Sequence, residues 1–541
     1  MDSSFRPPVT IAANPTQRKR FNCQLPASRV RIPSRRPENA AGAFGMMEES
    51  HRRLIVRLVF TIYLLALFEG VLRKWVAPQW GRPLFFIRDP FVLAIYILVF
   101  SKRTRFRKGF LELGCLFGVV GLILIVSQRI LATQGQDLLP PVLVAYGWRN
   151  YFFYIPLAFI VGRYLDSRDL KRLVRITALS SVAISVVAIV QFASPPRALI
   201  NVGTGDNPDE VYMNQTLPEG HVRASGTFTS NLGMSSFAAS AVAFAISLWL
   251  APNRSRSRHS YLTLACGTAG AVVCLSYSGS RGAFVWSGLI LVMAVAGLSL
   301  TSSGLGLRSG ILISVLVASG AVIAPLLFPD TIRVFQKRWS DAEYLEDRSY
   351  GDGGIFARML YELLDFQYLV SDTPLQGYGL GSAGNAAWTL GTRREVITFK
   401  DGAQVGAAES DWGRHILELG PIFGFLFILY RVALTAWLAK EALAATRRSG
   451  NPLPLLLFGF AGVIMLNGQI TANGTTNAYG WLFTGFCLAA ANSVSPLRRS
   501  VHQGVAFARV SAFPGKSIDG TPVRVGRQVF SRRADGAFKS L

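Results

Sequence analysis

Long apolar segments recur along most of the chain and are separated by short polar ones. Each is about 17 to 25 residues long, the length that a helix needs to cross roughly 30 Å of hydrocarbon. The pattern therefore predicts membrane-spanning helices rather than the cores of soluble domains. About twelve are predicted, at 54–72, 84–100, 109–127, 139–162, 170–192, 232–251, 261–277, 283–300, 311–328, 415–438, 452–470 and 478–494.

This pattern predicts an all-α polytopic integral membrane protein with about 12 transmembrane helices and one large extracytoplasmic loop. Residues 53–328 would hold helices 1–9, residues 329–414 the large periplasmic loop, and residues 415–494 helices 10–12. The first 45 residues are rich in proline and arginine and contain no apolar core, unlike a cleavable signal peptide. We therefore expect a disordered, basic cytoplasmic tail at 1–52 and a second basic tail at 495–541.

Composition and charge agree with this interpretation, since 50% of the 541 residues are hydrophobic and 16% are charged. The net charge of +25 is concentrated outside the spans. Residues 1–53 hold ten Lys and Arg against four acids, residues 495–541 hold nine against two, and short loops carry most of the rest. This positive-inside distribution predicts that both termini are cytoplasmic and argues against a nucleic-acid partner.

Four arginines lie at predicted outer ends of spans: Arg149, Arg223, Arg281 and Arg414. A single arginine there can snorkel to lipid phosphate or pair with a carboxylate. The positive-inside rule should deplete arginine from this face, so four together predict a shared anionic ligand. Diphosphate is the natural candidate, because guanidinium matches phosphate oxygens with a planar fork of donors. No carboxylate cluster with metal-ligand spacing accompanies them, so we expect neither metal nor cofactor.

The large predicted loop carries three notable stretches. "IFARMLYELLDFQYLVSD" (355–372) has the apolar spacing of an amphipathic helix that lies along a membrane surface. "GYGLGSAGN" (377–385) is rich in glycine and could let the backbone approach a ligand. "AAESDWGRHILELGPIFGFL" then places Glu409, Asp411, Arg414 and His415 at the entrance of the tenth span.

Glycosyl transfer from a diphosphate would require a base to accept the proton of the acceptor hydroxyl. Glu409, Asp411 and His415 are the candidates nearest the arginines in the sequence. Two alternatives stay open: Glu409 or Asp411 simply neutralises Arg414, and His415 is a packed interfacial residue.

Residues 54–494 resemble the O-antigen ligase and O-antigen polymerase superfamily of bacterial envelope enzymes. The similarity rests on the number of spans, on "SGSRGAF" opening a span, and on a late outer loop containing "GYGLG" before "ELGPIFGF". It implies a GT-C-type membrane glycosyltransferase in the bacterial inner membrane. Such an enzyme moves glycan units from an undecaprenyl diphosphate carrier to a glycan or lipid acceptor at the periplasmic face without a metal. Arg281 would bind the carrier diphosphate with help from Arg149 and Arg223, and other polysaccharide assembly and export proteins are expected partners.

One departure from the family and two other functions stay open. Family ligases carry a His-Asn pair about eleven residues before the glycine that matches Gly420, whereas this chain has Glu409 and Ser410 there. His415 stands at the wrong helical offset to replace that histidine, so either a carboxylate is the base or the acceptor differs. The main alternative function is a transporter or flippase of lipid-linked oligosaccharide, although the two halves show no obvious repeat. The second alternative is a peptidoglycan-type glycan polymerase, but the sequence shows none of the acidic motifs that are characteristic of that family.

Overall fold

The computed structural model divides into two compact units, Met1–Ser50 and His51–Leu541. It describes residues 38–81, 83–102, 109–131, 139–203, 220–250, 258–299, 310, 326, 329–350, 354–384, 387–390, 397–398, 404–405 and 410–493. Most of the two predicted tails and the predicted ninth span at 311–328 lie outside these residues. The described residues of the first unit, 38–50, are helical.

Helices dominate the described residues. The first half of the chain contains α1 (Glu38–Val71) followed by a π-helical turn (Leu72–Val76), α2 (Asp89–Ser101), α3 (Phe110–Leu131), α4 (Pro141–Trp148), a second π-helical turn (Arg149–Phe153), α5 (Ile155–Tyr164), α6 (Ser167–Ala193), α7 (Asn231–Leu250), α8 (Arg258–Tyr277) and α9 (Arg281–Ser299). Short 3-10 turns lie at Pro78–Trp80, Pro83–Phe86 and Leu199–Asn201.

The second half of the chain contains a loop region built from helices and one small sheet. The helices are α10 (Pro329–Tyr350), α11 (Gly354–Leu364), α12 (Phe366–Leu369) and α13 (Ala387–Leu390), and then α14 (Asp411–Leu419), α15 (Pro421–Ser449), α16 (Leu453–Asn467) and α17 (Gly474–Asn492). Strands β1 (Ile397–Thr398) and β2 (Gln404–Val405) pair antiparallel, with Ile397 opposite Val405.

Seven stretches of the described helices are long and apolar enough to cross a membrane, which supports a polytopic membrane protein. They overlap seven of the predicted spans, and the count of twelve stays a prediction. The seven are Glu49–Val76, Pro83–Ser101, Phe110–Ile130, Ser167–Ala193, Asn231–Leu250, Ser260–Tyr277 and Pro421–Ser449. Arg281–Gly297 and Leu453–Asn467 are apolar but shorter.

Two predicted spans differ from the structure for identifiable reasons. The segment at 139–162 is not one α-helix, because a π-helical turn at Arg149–Phe153 separates α4 from α5. The segment at 415–438 begins later than predicted, because Gly420 adopts φ +82° and Pro421 starts a new helix there. Pro at the first helical position has no N–H to leave unpaired. His415 therefore belongs to the separate short helix α14.

The interior of the second unit centres on α17, which packs against α5 and α16. Almost every side chain of α17 is buried, including Trp481 and Phe483. Its N-terminus is capped by Asn473, whose side chain accepts hydrogen bonds from the backbone of Thr475 and Thr476. The helices α6, α7 and α8 pack together beside it, and this scaffold fixes the segments that carry the arginines.

Candidate functional site: an arginine cavity

The turn that carries Arg281 joins α8 to α9 and is shaped by glycine and serine. Gly279 has a left-handed backbone with φ +56°, a conformation that glycine adopts at little cost. The Ser280 hydroxyl accepts a hydrogen bond from the backbone N–H of Ala283 at 3.3 Å, as an N-cap residue does. Arg281 is therefore the first residue of α9, at the end of a helix rather than within one.

Backbone carbonyls of the same turn hold two further arginines. Arg223 Nε donates to the carbonyl oxygen of Ser278 at 3.1 Å, and Arg338 Nη1 donates to that of Gly279. Arg223 precedes α7, whereas Arg338 belongs to α10 in the large loop. Three segments that are distant in sequence therefore meet at this turn, and each contributes one arginine.

These three arginines line one cavity together with Arg358 and Glu362 of α11, and its volume is about 260 Å³. Arg358 Nε and Glu362 Oε1 form a salt bridge of 3.0 Å across one helical turn. Among the described residues that line this cavity, four carry a guanidinium group and one carries a carboxylate. We call this feature the arginine cavity. Arg223 and Arg281, which we predicted to share an anionic ligand, both line this cavity.

The arginines of the cavity act on one another electrostatically. Burial, together with the charges of Arg338 and Arg281, lowers the pKa of the Arg223 guanidinium to about 9. Burial and the charge of Arg281 also lower the pKa of Arg338. Such mutual repulsion is relieved by an anion placed among the guanidinium groups, since an opposite charge nearby favours the charged form. The cavity is therefore electrostatically suited to an anionic ligand.

Two helices begin at this cavity and add to its positive potential. Gly282 lies in the first turn of α9 and Leu232 in the first turn of α7, and both line the cavity. A helix N-terminus carries the equivalent of roughly half a positive charge. Together with the arginines, these helix ends match the requirements of a phosphate-binding site.

Arg149 does not line the arginine cavity. It belongs to a separate buried ionic cluster, in which Nη2 lies 2.9 Å from Asp89 Oδ1 and Nη1 donates to Asn150 at 2.7 Å. Asp89 also accepts a hydrogen bond from the hydroxyl of Tyr154. The predicted grouping of Arg149 with Arg223 and Arg281 is thus not observed, because a carboxylate 60 residues earlier in the chain neutralises it.

Arg414 also lies away from the arginine cavity, in a network around Asp411. One carboxylate oxygen of Asp411 is 2.9 Å from Arg414 Nη1 and the other contacts Arg431 Nη1. The hydroxyl of Thr471 donates to Asp411 at 2.6 Å. Burial acts to raise the pKa of Asp411. The neighbouring Arg431, His415 and Arg414 outweigh this effect and lower that pKa to about 2. Asp411 is therefore an interior anion that holds two cations in place.

His415 occupies the same network. Nδ1 lies 3.1 Å from the Tyr151 hydroxyl, and Nε2 contacts Arg431 Nη1. The ring has no exposed surface, and burial holds its pKa well below the usual range. Asp411 and His415, both predicted as bases, thus face the protein interior rather than the arginine cavity. Glu409, the third predicted base, lies outside the described residues.

The segments "GYGLG" and "ELGPIFGF" contact each other and form one junction. Gly377 has φ +71°, and a Cβ there would lie 2.5 Å from the carbonyl oxygen of Glu418. The carboxylate of Glu418 in turn accepts the backbone N–H of Ala383 at 2.9 Å. We expected the glycine stretch to let the backbone approach a ligand. In the structure Gly377 lets the loop pack against the end of α14, and Gly381 lets it pack against the backbone of Leu143 in α4.

Replacing Gly420 by alanine should destabilise this junction. Gly420 has φ +82°, and a Cβ would collide with the carbonyl oxygen of Leu375. Strain and overpacking together should lower the free energy of unfolding by about 2–4 kcal/mol. Denaturant titration of purified protein in detergent micelles measures this loss. Gly450→Ala is the matched control, because Gly450 has φ +64° with no atom within 4 Å of its Cβ position. Equal losses in the two variants would contradict the collision.

Sequence reasoning missed Arg338, Arg358 and Glu362 as cavity residues. The predicted amphipathic helix contained the signal for two of them, since Arg358 and Glu362 stand four residues apart on one face of α11. The position of Arg338 carried no such signal.

An exposed apolar surface extends from the helices beside the cavity to the candidate membrane span α15. Leu360 and Tyr361 of α11 are exposed. In α12, Phe366 packs against Phe425 of α15, with ring centres 6.2 Å apart. Phe425 and the neighbouring Ile422 are themselves exposed near the N-terminal end of α15. This continuity fits the predicted membrane-surface position of 355–372.

Among the residues that the structure describes, no group of three or more His, Cys, Asp or Glu side chains is arranged to hold a metal ion. No protein-family model, curated protein or solved structure matches the chain.

Proposed function

We propose that this protein is a membrane-embedded glycosyltransferase of bacterial envelope polysaccharide synthesis. It would polymerise or ligate glycan units carried on undecaprenyl diphosphate at the periplasmic face of the inner membrane. The observation that carries the proposal is the arginine cavity, where four guanidinium groups share a site with one carboxylate. The resemblance of residues 54–494 to the O-antigen ligase and polymerase superfamily supplies the substrate class.

The proposed reaction is a displacement at the anomeric carbon of the donor glycan. A hydroxyl oxygen of the acceptor forms a bond to that carbon, while the bond from the carbon to the phosphate oxygen breaks. The electron pair leaves with undecaprenyl diphosphate, whose negative charge grows in the transition state. Arg223, Arg281 and Arg338 would stabilise this charge, because fixed donors in a partly dry site need no reorganisation.

The surroundings of the cavity support a lipid-linked donor in particular. Helix α11 has exposed apolar residues, and Phe366 of the next helix, α12, packs against the exposed Phe425 of α15. A polyprenyl chain could therefore lie in the bilayer along this surface while its diphosphate enters the cavity. The guanidinium groups supply the positive charge that a divalent ion would otherwise provide. We therefore expect transfer without added metal. The distribution of basic residues separately leads us to expect both termini on the cytoplasmic side.

Reconstitution of the purified chain in liposomes tests this function. The probe is a lipid extract from cells of the source bacterium that lack this chain, because such cells should accumulate the unused donor. Product length is measured on gels in the presence of EDTA. A ladder of longer glycans supports a polymerase, and a single product on a lipid acceptor supports a ligase. Movement of intact donor across the bilayer without extension would instead favour the flippase alternative.

A further inference from the structure

Glu362 is the carboxylate that the structure places in the arginine cavity. Its side chain is 24% exposed and lies one helical turn after Arg358 on α11. Among the described residues lining the cavity, the other polar groups are arginine, serine, asparagine and glutamine side chains. None of these accepts a proton readily at neutral pH. Glu362 is thus the group best suited to act as a base on a ligand held there.

Other carboxylates near this region are committed to different contacts. Asp411 holds Arg414 and Arg431 in the interior, and Glu418 holds the glycine loop through the N–H of Ala383. Asp365 follows Glu362 by three residues but accepts a hydrogen bond from Ser410 at 2.7 Å. Of these carboxylates, Glu362 is the one that lines the arginine cavity.

We propose that Glu362 is the base that accepts the proton of the acceptor hydroxyl, an inference that rests on the proposed glycosyl transfer. As the acceptor oxygen bonds to the anomeric carbon, its proton passes to a carboxylate oxygen of Glu362. The electron pair of the broken bond leaves with undecaprenyl diphosphate. Glu362 then releases the proton to water, which regenerates the carboxylate and completes the balance.

The charges that face Glu362 come from four elements. Arg358 lies on its own helix, Arg281 on α9, Arg338 on α10 and Arg223 in the segment before α7. Asp365 is the nearby acidic group. Burial and the negative charge of Glu362 raise the pKa of Asp365 to about 6. An incoming diphosphate would lie among these guanidinium groups and offset their positive charge beside Glu362.

Glu362→Gln tests this role in the liposome assay with the same lipid extract. We expect turnover to fall about 100-fold or more, in the usual range for loss of a base. Binding of undecaprenyl diphosphate, measured separately, should stay within about twofold of wild type. Glu362→Asp should keep part of the activity, because it retains a carboxylate at a shorter reach. The acidic limb of the wild-type pH–rate profile should be absent from Glu362→Gln.

Two controls separate the alternatives. Glu343→Gln removes an exposed carboxylate from α10 outside the cavity and should leave turnover unchanged. Arg358→Lys tests whether Glu362 only positions Arg358, in which case both variants should weaken lipid binding and turnover in parallel. That result, or full turnover by Glu362→Gln, would overturn the proposal and leave the transferase function standing. Absence of transfer by the wild-type protein would overturn both.

Discussion

Replacing Arg281 by lysine is expected to weaken binding of undecaprenyl diphosphate by about 10- to 100-fold. Lysine keeps the positive charge but presents a point charge instead of the planar fork that matches two phosphate oxygens. Hydrogen bonds between charged partners contribute about 1.5–3 kcal/mol, and each 1.4 kcal/mol corresponds to a factor of ten in affinity. Turnover at low donor concentration should fall at least as far, because the same fork meets the leaving diphosphate.

Binding of undecaprenyl diphosphate to purified protein in detergent measures this effect, and inorganic pyrophosphate serves as a competitor. Arg333→Lys is the matched control, since Arg333 lies on α10 with a side chain that is 66% exposed and pairs with Asp330. It should bind the lipid like wild type. Wild-type affinity and turnover in a folded Arg281→Lys protein would remove Arg281 from the diphosphate site.

The second large effect should come from Asp411→Asn, which is expected to lower the free energy of unfolding by about 3–5 kcal/mol. The change removes the shared counter-charge of Arg414 and Arg431, both of which have almost no exposed surface. An uncompensated charge in the interior is costly, because water no longer solvates it. Denaturant titration in detergent micelles measures the loss, and reduced yield in the membrane should accompany it.

Asp330→Asn is the control for that experiment, because its ion pair with Arg333 is exposed and contributes less than about 1 kcal/mol. An Asp411→Asn protein that keeps wild-type stability but loses turnover would contradict the structural role. That result would return Asp411 to the position of a catalytic base. The experiment therefore distinguishes the sequence-based prediction from the role that the geometry favours.

The arginines at the predicted outer ends of spans fall into two classes. Arg149 and Arg414 are buried and are each paired with a carboxylate, Asp89 and Asp411 respectively. Arg223 and Arg281 instead share a cavity with further arginines. A buried cation with its own carboxylate has little left to offer a ligand, whereas cations that repel one another gain from an added anion. This difference is the reason that the proposed donor site includes only the second class.

Features encoded locally were predictable from the sequence. Apolar segments of sufficient length predicted about twelve spans, because the hydrocarbon thickness sets the length of a span. Seven of these segments overlap described helices that are long and apolar enough to cross a membrane. The segment "SGSRGAF" was predicted to open the eighth span, and α9 begins there at Arg281. The apolar spacing of 355–372 predicted an amphipathic helix, and α11 lies within that range. Each of these signals depends on neighbouring residues alone.

Contacts between distant residues were decided only by the tertiary structure. Arg149 and Asp89 are 60 residues apart, and Arg223 reaches a carbonyl 55 residues away. No periodicity links such positions, so the sequence could not separate the arginines that pair with Asp89 and Asp411 from those that line the arginine cavity. The proposed base shows the same limit, since Asp411 lies near the arginines in the sequence whereas Glu362 lies among them in space. Sequence alone determined which segments become helices and where arginine is concentrated, and packing of those helices determined which charges meet.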